Sequence, residues 1–177
     1  MARPRRRDAE ATPAPAAHPA RSVRLVADPP PKGYIYPCTI GDLKRQLRRV
    51  PPEYVEGLWQ IRLSNQARRY RDRDGDYLDG EIRLFPYPER LIFPASPKPN
   101  DPWDQEWLAW GARVVDDNGV RSLQWTPEAL RRYILDHVLL HELGHHYAAI
   151  RGLPDSERAA ERLAREIRAR LAPLPAE

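Results

Sequence analysis

The stretch 139–149, LLHELGHHYAA, constrains this chain more than any other, because His141, Glu142 and His145 form the pattern H-E-x-x-H. Residues four apart on an α-helix lie about 40° apart around the axis and about 6 Å along it, so both imidazoles can meet on one small ion. Glu142 sits to one side, too far round to join the pair but able to reach a water beside the ion. Two neutral nitrogen ligands, an open position and an adjacent carboxylate base are what a zinc hydrolase needs. The competing reading is a helix whose two histidines are satisfied in a core. Flanking residues predict a helix over 126–151: Thr126 as N-cap, Pro127 at the first position, Glu128 in the first turn, and Gly152 and Pro154 beyond the end. Leu139, Leu143 and Ile150 make an apolar stripe opposite the histidines, widened by Leu135 and Tyr147, which assigns the helix to a core. Gly144, Ala148 and Ala149 flank the metal face and leave room for a second helix or a substrate.

A site of this kind wants a third protein ligand, and the next segment, DSERAAERLAREIRARL, offers one. Ala160, Leu163, Ala164, Ile167 and Leu171 recur at helical spacing and form its buried stripe. Glu157 lies in the first turn near the edge of that stripe and can point inward. Glu161 lies one turn on, further toward the polar side, and Glu166 faces solvent. Position favours Glu157 as the ligand and Glu161 as an acceptor for a ligand imidazole N–H, with an exchange of the two roles left open.

HELGHH followed by a helix of the form E-x-x-A-E-x-x-A resembles the gluzincin branch of zinc metallopeptidases, and most closely its small intracellular members of the ImmA/IrrE type. The resemblance covers 126–171. It implies His141, His145 and Glu157 as zinc ligands, Glu142 as general base, Glu161 in support, and a protein or peptide substrate. A minimal zincin-like α+β fold follows: a small antiparallel or mixed sheet on the H-E-x-x-H helix and a C-terminal helix. A metzincin is disfavoured, since no third His follows at the spacing that group requires.

With 177 residues the chain accommodates one domain, 23–173, after a Pro/Ala/Arg-rich tail, 1–22. The tail carries almost no large apolar side chain and is expected to be disordered. It holds five arginines against Asp8 and Glu10, hence three of the four net positive charges. The tail could touch nucleic acid or an acidic partner, although a solvated extension is the simpler account; His18 within it has no evident role. Charged residues at 31% and 20 prolines indicate a modest core, and no apolar run approaches a membrane span. Neither is there the apolar segment of a secretory signal, so a cytoplasmic protein is expected. The single Cys38 precludes an internal disulfide framework and is expected to be a small buried residue rather than a metal switch.

Along the chain, Thr39 precedes a short helix, LKRQLRRV, with Ile40, Leu43 and Leu47 on one face and Pro51-Pro52 beyond it. Trp59, Ile61 and Leu63 alternate with polar residues in a half-buried strand. Asp72, Asp74 and Asp76 invite a calcium-loop reading, but Tyr77 stands where the turn glycine belongs and Arg83 where the closing Glu would be. A charged hairpin connection accounts better for 68–80. The segment 81–85, EIRLF, is expected to be a strand and, by position, the edge strand that takes a substrate backbone. Six prolines make 86–102 an irregular loop, with a short strand at 91–93 and a possible role as a lid. Trp103, Trp107 and Trp110 are expected to pack that loop onto the domain rather than line a subsite. Strands at 107–115 and 120–125 flank Asn118-Gly119, a hairpin turn signal.

Among the remaining polar residues, Tyr133, Tyr147 and His137 are candidate second oxyanion donors. His137 would stand about 12 Å along the helix from His145, too far to share its ion, and His146 points about 100° away from its neighbour. The pattern therefore predicts a zinc-dependent metallopeptidase. The alternatives are a zinc-bearing regulatory or protein-binding module without turnover, which would not need Glu142, and a nucleic-acid-associated protein acting through its tail.

Overall fold

The computed structural model describes residues 22–66, 74–98, 100–117 and 119–173. The tail through residue 21, Asp72 and Asn118 lie outside the described residues. Helices and small sheets are mixed in an α+β arrangement. Strands β1 (Arg24–Ala27), β2 (Tyr34–Ile35), β3 (Gln60–Leu63), β4 (Gly75–Leu78), β5 (Glu81–Leu84), β6 (Tyr87–Pro88), β7 (Ile92–Pro94), β8 (Arg113–Asp117) and β9 (Val120–Gln124) are joined by five α-helices. These are α1 (Ile40–Leu47), α2 (Pro102–Ala109), α3 (Pro127–Tyr133), α4 (Leu139–Ile150) and α5 (Glu157–Ala169).

The main sheet has the order β1-β3-β5-β4, with parallel pairs β1–β3 and β3–β5 and an antiparallel β5–β4 edge. Its register places Ile61 beside Ile82 and Leu63 beside Leu84, all buried, on the face toward the helices. The opposite face carries Arg62 and Arg83, which pair with Asp28, Glu81 and Asp76. EIRLF is therefore not the edge strand expected: β5 is flanked by β3 and β4, so its backbone is already engaged. The edges are β1 and β4, and β4 lies within the stretch expected to be a connection. Asp79 and Gly80, both at positive φ (46° and 84°), make the β4–β5 turn, and Asp-Gly between two apolar runs was the signal for it.

A second sheet, β7-β9-β8, is antiparallel, and β2 pairs with β6. The proline-rich segment thus contributes two paired strands rather than a free lid. Nor is 107–115 a strand. Asp101 caps α2 by accepting from the Trp103 N–H (3.0 Å), Pro102 occupies the first turn, and only from Arg113 does the chain extend. This is the same cap-plus-proline signature that starts α3, where the Thr126 hydroxyl accepts from the Ala129 N–H. The alternation of Trp107 and its neighbours misled because α2 buries Trp107 alone of its tryptophans.

The helix expected over 126–151 is present, with one unforeseen feature. Between α3 and α4 the backbone stays helical but makes a π-helical turn, Ile134–Val138, in which the Leu139 N–H reaches back to the Ile134 carbonyl. Side chains from other helices meet the carbonyls here: Gln46 Nε2 donates to Leu135 (3.3 Å) and Arg168 Nε to Asp136 (2.8 Å). The turn so ties α1 and α5 to the central helix. Leu139, Leu140 and Leu143 are fully buried. Helix α5 packs along α4, with Ala160, Leu163, Ala164 and Ile167 inward as its sequence predicts. The helices approach so closely at Gly144 that a Cβ there would stand 2.6 Å from the Ala160 carbonyl oxygen. Cys38 is buried and reduced. No helix among the described residues is long and apolar enough to cross a membrane.

Candidate metal centre

Helix α4 presents His141 and His145 on one face, and the short return through Gly152 brings the first turn of α5 over them. Ser156 caps α5 by accepting from the Ala159 N–H, which places Glu157 at the first helical position. The His141 and His145 Nε2 atoms lie 3.1 Å apart, and Glu157 Oε2 lies 3.0 Å from the first and 3.7 Å from the second. Four donors at about 2.0–2.1 Å from one ion stand about 3.3 Å apart in a tetrahedron. The three observed separations bracket that value. Among the described residues this is the one group of three or more His, Cys, Asp or Glu side chains close enough to hold a metal.

The far sides of both rings face carboxylates. His145 Nδ1 lies 2.6 Å from Asp155 Oδ1, and His141 Nδ1 lies 3.7 Å from Glu161 Oε2. A proton held on Nδ1 toward the carboxylate leaves the Nε2 lone pair directed at the common point, the tautomer that a metal ligand requires. Burial pushes the His141 pKa down, and the neighbouring His145 adds to this against the pull of Glu157. Both effects favour a neutral ring. The donor set therefore fits zinc: two imidazole nitrogens, one carboxylate oxygen and, with Glu157 86% exposed, a side open to solvent.

These groups line one face of a cleft of about 800 Å³. Glu142 belongs to the same cleft and is only 7% exposed. Edge strand β4 and the preceding Asp74 form one opposing wall with Gly75, Asp76 and Tyr77, and α2 with its C-cap Trp110 forms the other through Trp103 and Glu106. His137 lies half-buried in the cleft lining, within the π-helical turn and four residues before His141, with its Nε2 3.1 Å from Glu106 Oε1. The Tyr133 hydroxyl stands 2.8 Å from the same Glu106 oxygen and 2.9 Å from Asp74 Oδ2. Burial, and the charge of Asp74 next, raise the Tyr133 pKa well above its ordinary value. For Glu106, burial works to raise the pKa, but the His137 and Tyr133 contacts outweigh it and the carboxyl is held below its usual range. Rings stack in series from the second sheet to the metal face: Phe93, Trp107, Trp125, Tyr133, His137 and His141, with centroids 4.9–6.3 Å apart.

Other candidates lie elsewhere. Tyr147 packs on Tyr54 (4.7 Å) and is not among the cleft residues. His146 is fully buried under β4, donating from Nε2 to the Glu56 carbonyl (2.8 Å); burial lowers its pKa. Glu166, though exposed, accepts from the Tyr54 hydroxyl (2.7 Å). Three residues escaped the reading of the sequence. Asp155 sits in an irregular link and carries no periodic signal, and Asp74 and Glu106 come from segments assigned to a connection and to no helix. No family model, curated protein or solved structure matches the chain.

Proposed function

We propose that the chain is a zinc-dependent metallopeptidase of gluzincin type, with His141, His145 and Glu157 as ligands, Glu142 as general base, and a protein or peptide as substrate. The observation that carries this is the convergence of three ligand atoms at tetrahedral spacing in a cleft that also holds a buried carboxylate one residue from a ligand. Zinc bound there would supply a Lewis acid that polarises a peptide carbonyl and activates water. Glu142 takes the proton from the attacking water and delivers it to the departing amine. Asp155 and Glu161 hold the imidazoles in place from behind. Edge strand β4, which pairs only with β5 among the described residues and lies adjacent to α4, offers main-chain groups to an extended substrate, the role that its paired neighbour β5 is not free to take. A mixed sheet with this edge above the H-E-x-x-H helix and a ligand-bearing helix behind it is consistent with a minimal zincin-like fold.

The test is elemental analysis of protein purified without a metal-affinity tag, together with hydrolysis of a mixed peptide substrate pool. One equivalent of zinc, retained in Glu142→Gln while hydrolysis disappears, is the expected result. A folded protein that neither contains nor takes up zinc would overturn the reading.

A further inference from the structure

We propose that Trp103 and Glu106, on successive turns of α2, form a subsite for a cationic group of the substrate. The inference rests on the peptidase reading for what the substrate is, but binding alone tests it. Glu106 is fixed on one side only. Oε1 is held by the Tyr133 hydroxyl and His137, whereas Oε2 makes no hydrogen bond or ion pair with any described residue, and the side chain is 37% exposed in the cleft. An anchored carboxylate with one unengaged oxygen is an acceptor oriented before its partner arrives. Trp103, three residues earlier on the same helix, lines the same cleft and is 43% exposed, unlike the buried Trp107. The neighbouring Trp110 shows what such an indole does in this wall: the Arg168 guanidinium lies over its ring, 4.9 Å from the centroid. Arg168 is thereby committed, to Trp110 and to the Asp136 carbonyl, and among the described residues it is the one Lys or Arg lining the cleft against seven carboxylates. A lysine or arginine side chain, or a peptide amino terminus, would find a ring face and a charge-assisted acceptor together.

The experiment is calorimetric titration of the full-length Glu142→Gln protein, equilibrated with zinc, with three peptides. They are acetyl-Ala-Ala-Lys-Ala-Ala-amide, its norleucine counterpart, and the norleucine peptide with a free amino terminus. At low salt, one of the two cationic peptides should bind about tenfold or more tighter than the blocked norleucine peptide, which identifies the source of the cation. Trp103→Ala and Glu106→Gln, each added to Glu142→Gln, should erase most of that preference. Glu106→Lys, titrated in addition with acetyl-Ala-Ala-Glu-Ala-Ala-amide, should reverse the preference toward that peptide, an inversion that loss of structure would not produce. Equal binding of the three peptides, no binding of any, or a preference that survives both Trp103→Ala and Glu106→Gln would overturn the subsite. Wild-type protein, tested for cleavage in parallel, separates the two claims: a preference without hydrolysis would defeat the peptidase reading and leave the subsite standing.

Discussion

The two sides of the cleft are built differently. The metal side comes from one continuous piece of chain, α4, a short link and α5, so that all three ligand atoms fall between His141 and Glu157. The facing wall is drawn from β4 and from α2, more than thirty residues before the histidines in sequence, and meets the metal side through Tyr133 and His137. Chemistry that depends on a fixed donor geometry is thus placed on adjacent helices with little freedom between them. The subsite proposed on α2 lies on a segment that can change without moving the three donor atoms.

Substitutions can break that comparison. The largest expected effect is on the metal side: His145→Ala should abolish stoichiometric zinc, read by elemental analysis, while far-ultraviolet circular dichroism stays near that of the parent. Gly144→Ala comes next. Its new methyl group meets backbone, the Ala160 carbonyl oxygen at 2.6 Å, so α5 must move and take Glu157 with it. Zinc affinity, measured against a competing chelator, should fall about tenfold or more, with a loss of about 1–3 kcal/mol in denaturant unfolding. Unchanged zinc affinity would mean that the α4–α5 spacing does not set the site. Asp155→Asn should weaken zinc about 10- to 100-fold. Glu161→Gln should weaken it less, because its carboxylate stands at 3.7 Å rather than 2.6 Å from its imidazole. The smallest effect on the metal is expected from the wall. Gly80→Ala, at φ 84° and with its Cβ 2.7 Å from Trp59, should cost about 1 kcal/mol or more by straining the β4–β5 turn. Zinc affinity should not change; a loss there would show that wall and metal side are coupled.

The same division explains what the sequence disclosed. Helix spacing is a local property, and His141, His145 and Glu157 could be placed together from the period of two neighbouring helices. The buried faces of β3 and β5 were equally visible in Ile61, Leu63, Ile82 and Leu84. Their order was not: periodicity gives a strand its faces but no neighbours, and although Asp79-Gly80 signals a turn before β5, nothing local shows that β3 flanks β5 on its other side. Asp155 was missed because a link has no period. Glu106 was missed because three tryptophans drew attention to burial, although Asp101-Pro102 announced the helix that carries it.

The π-helical turn at Ile134–Val138 has a consequence for how this cleft can vary. Such a turn holds one residue more than an α-helix would use over the same span. Deleting one residue there, Leu135 for instance, would restore a regular helix, rotate everything before it by about 100° and draw it in by about 1.5 Å. His141, Glu142 and His145 would keep their mutual geometry. Tyr133, though, would swing away from Asp74 and Glu106, and the wall would lose its registration with the metal face. The alignment of the cleft's two sides is in this sense a matter of chain length rather than of residue identity, and insertions or deletions in one turn, more than replacements, are the changes that would retune it.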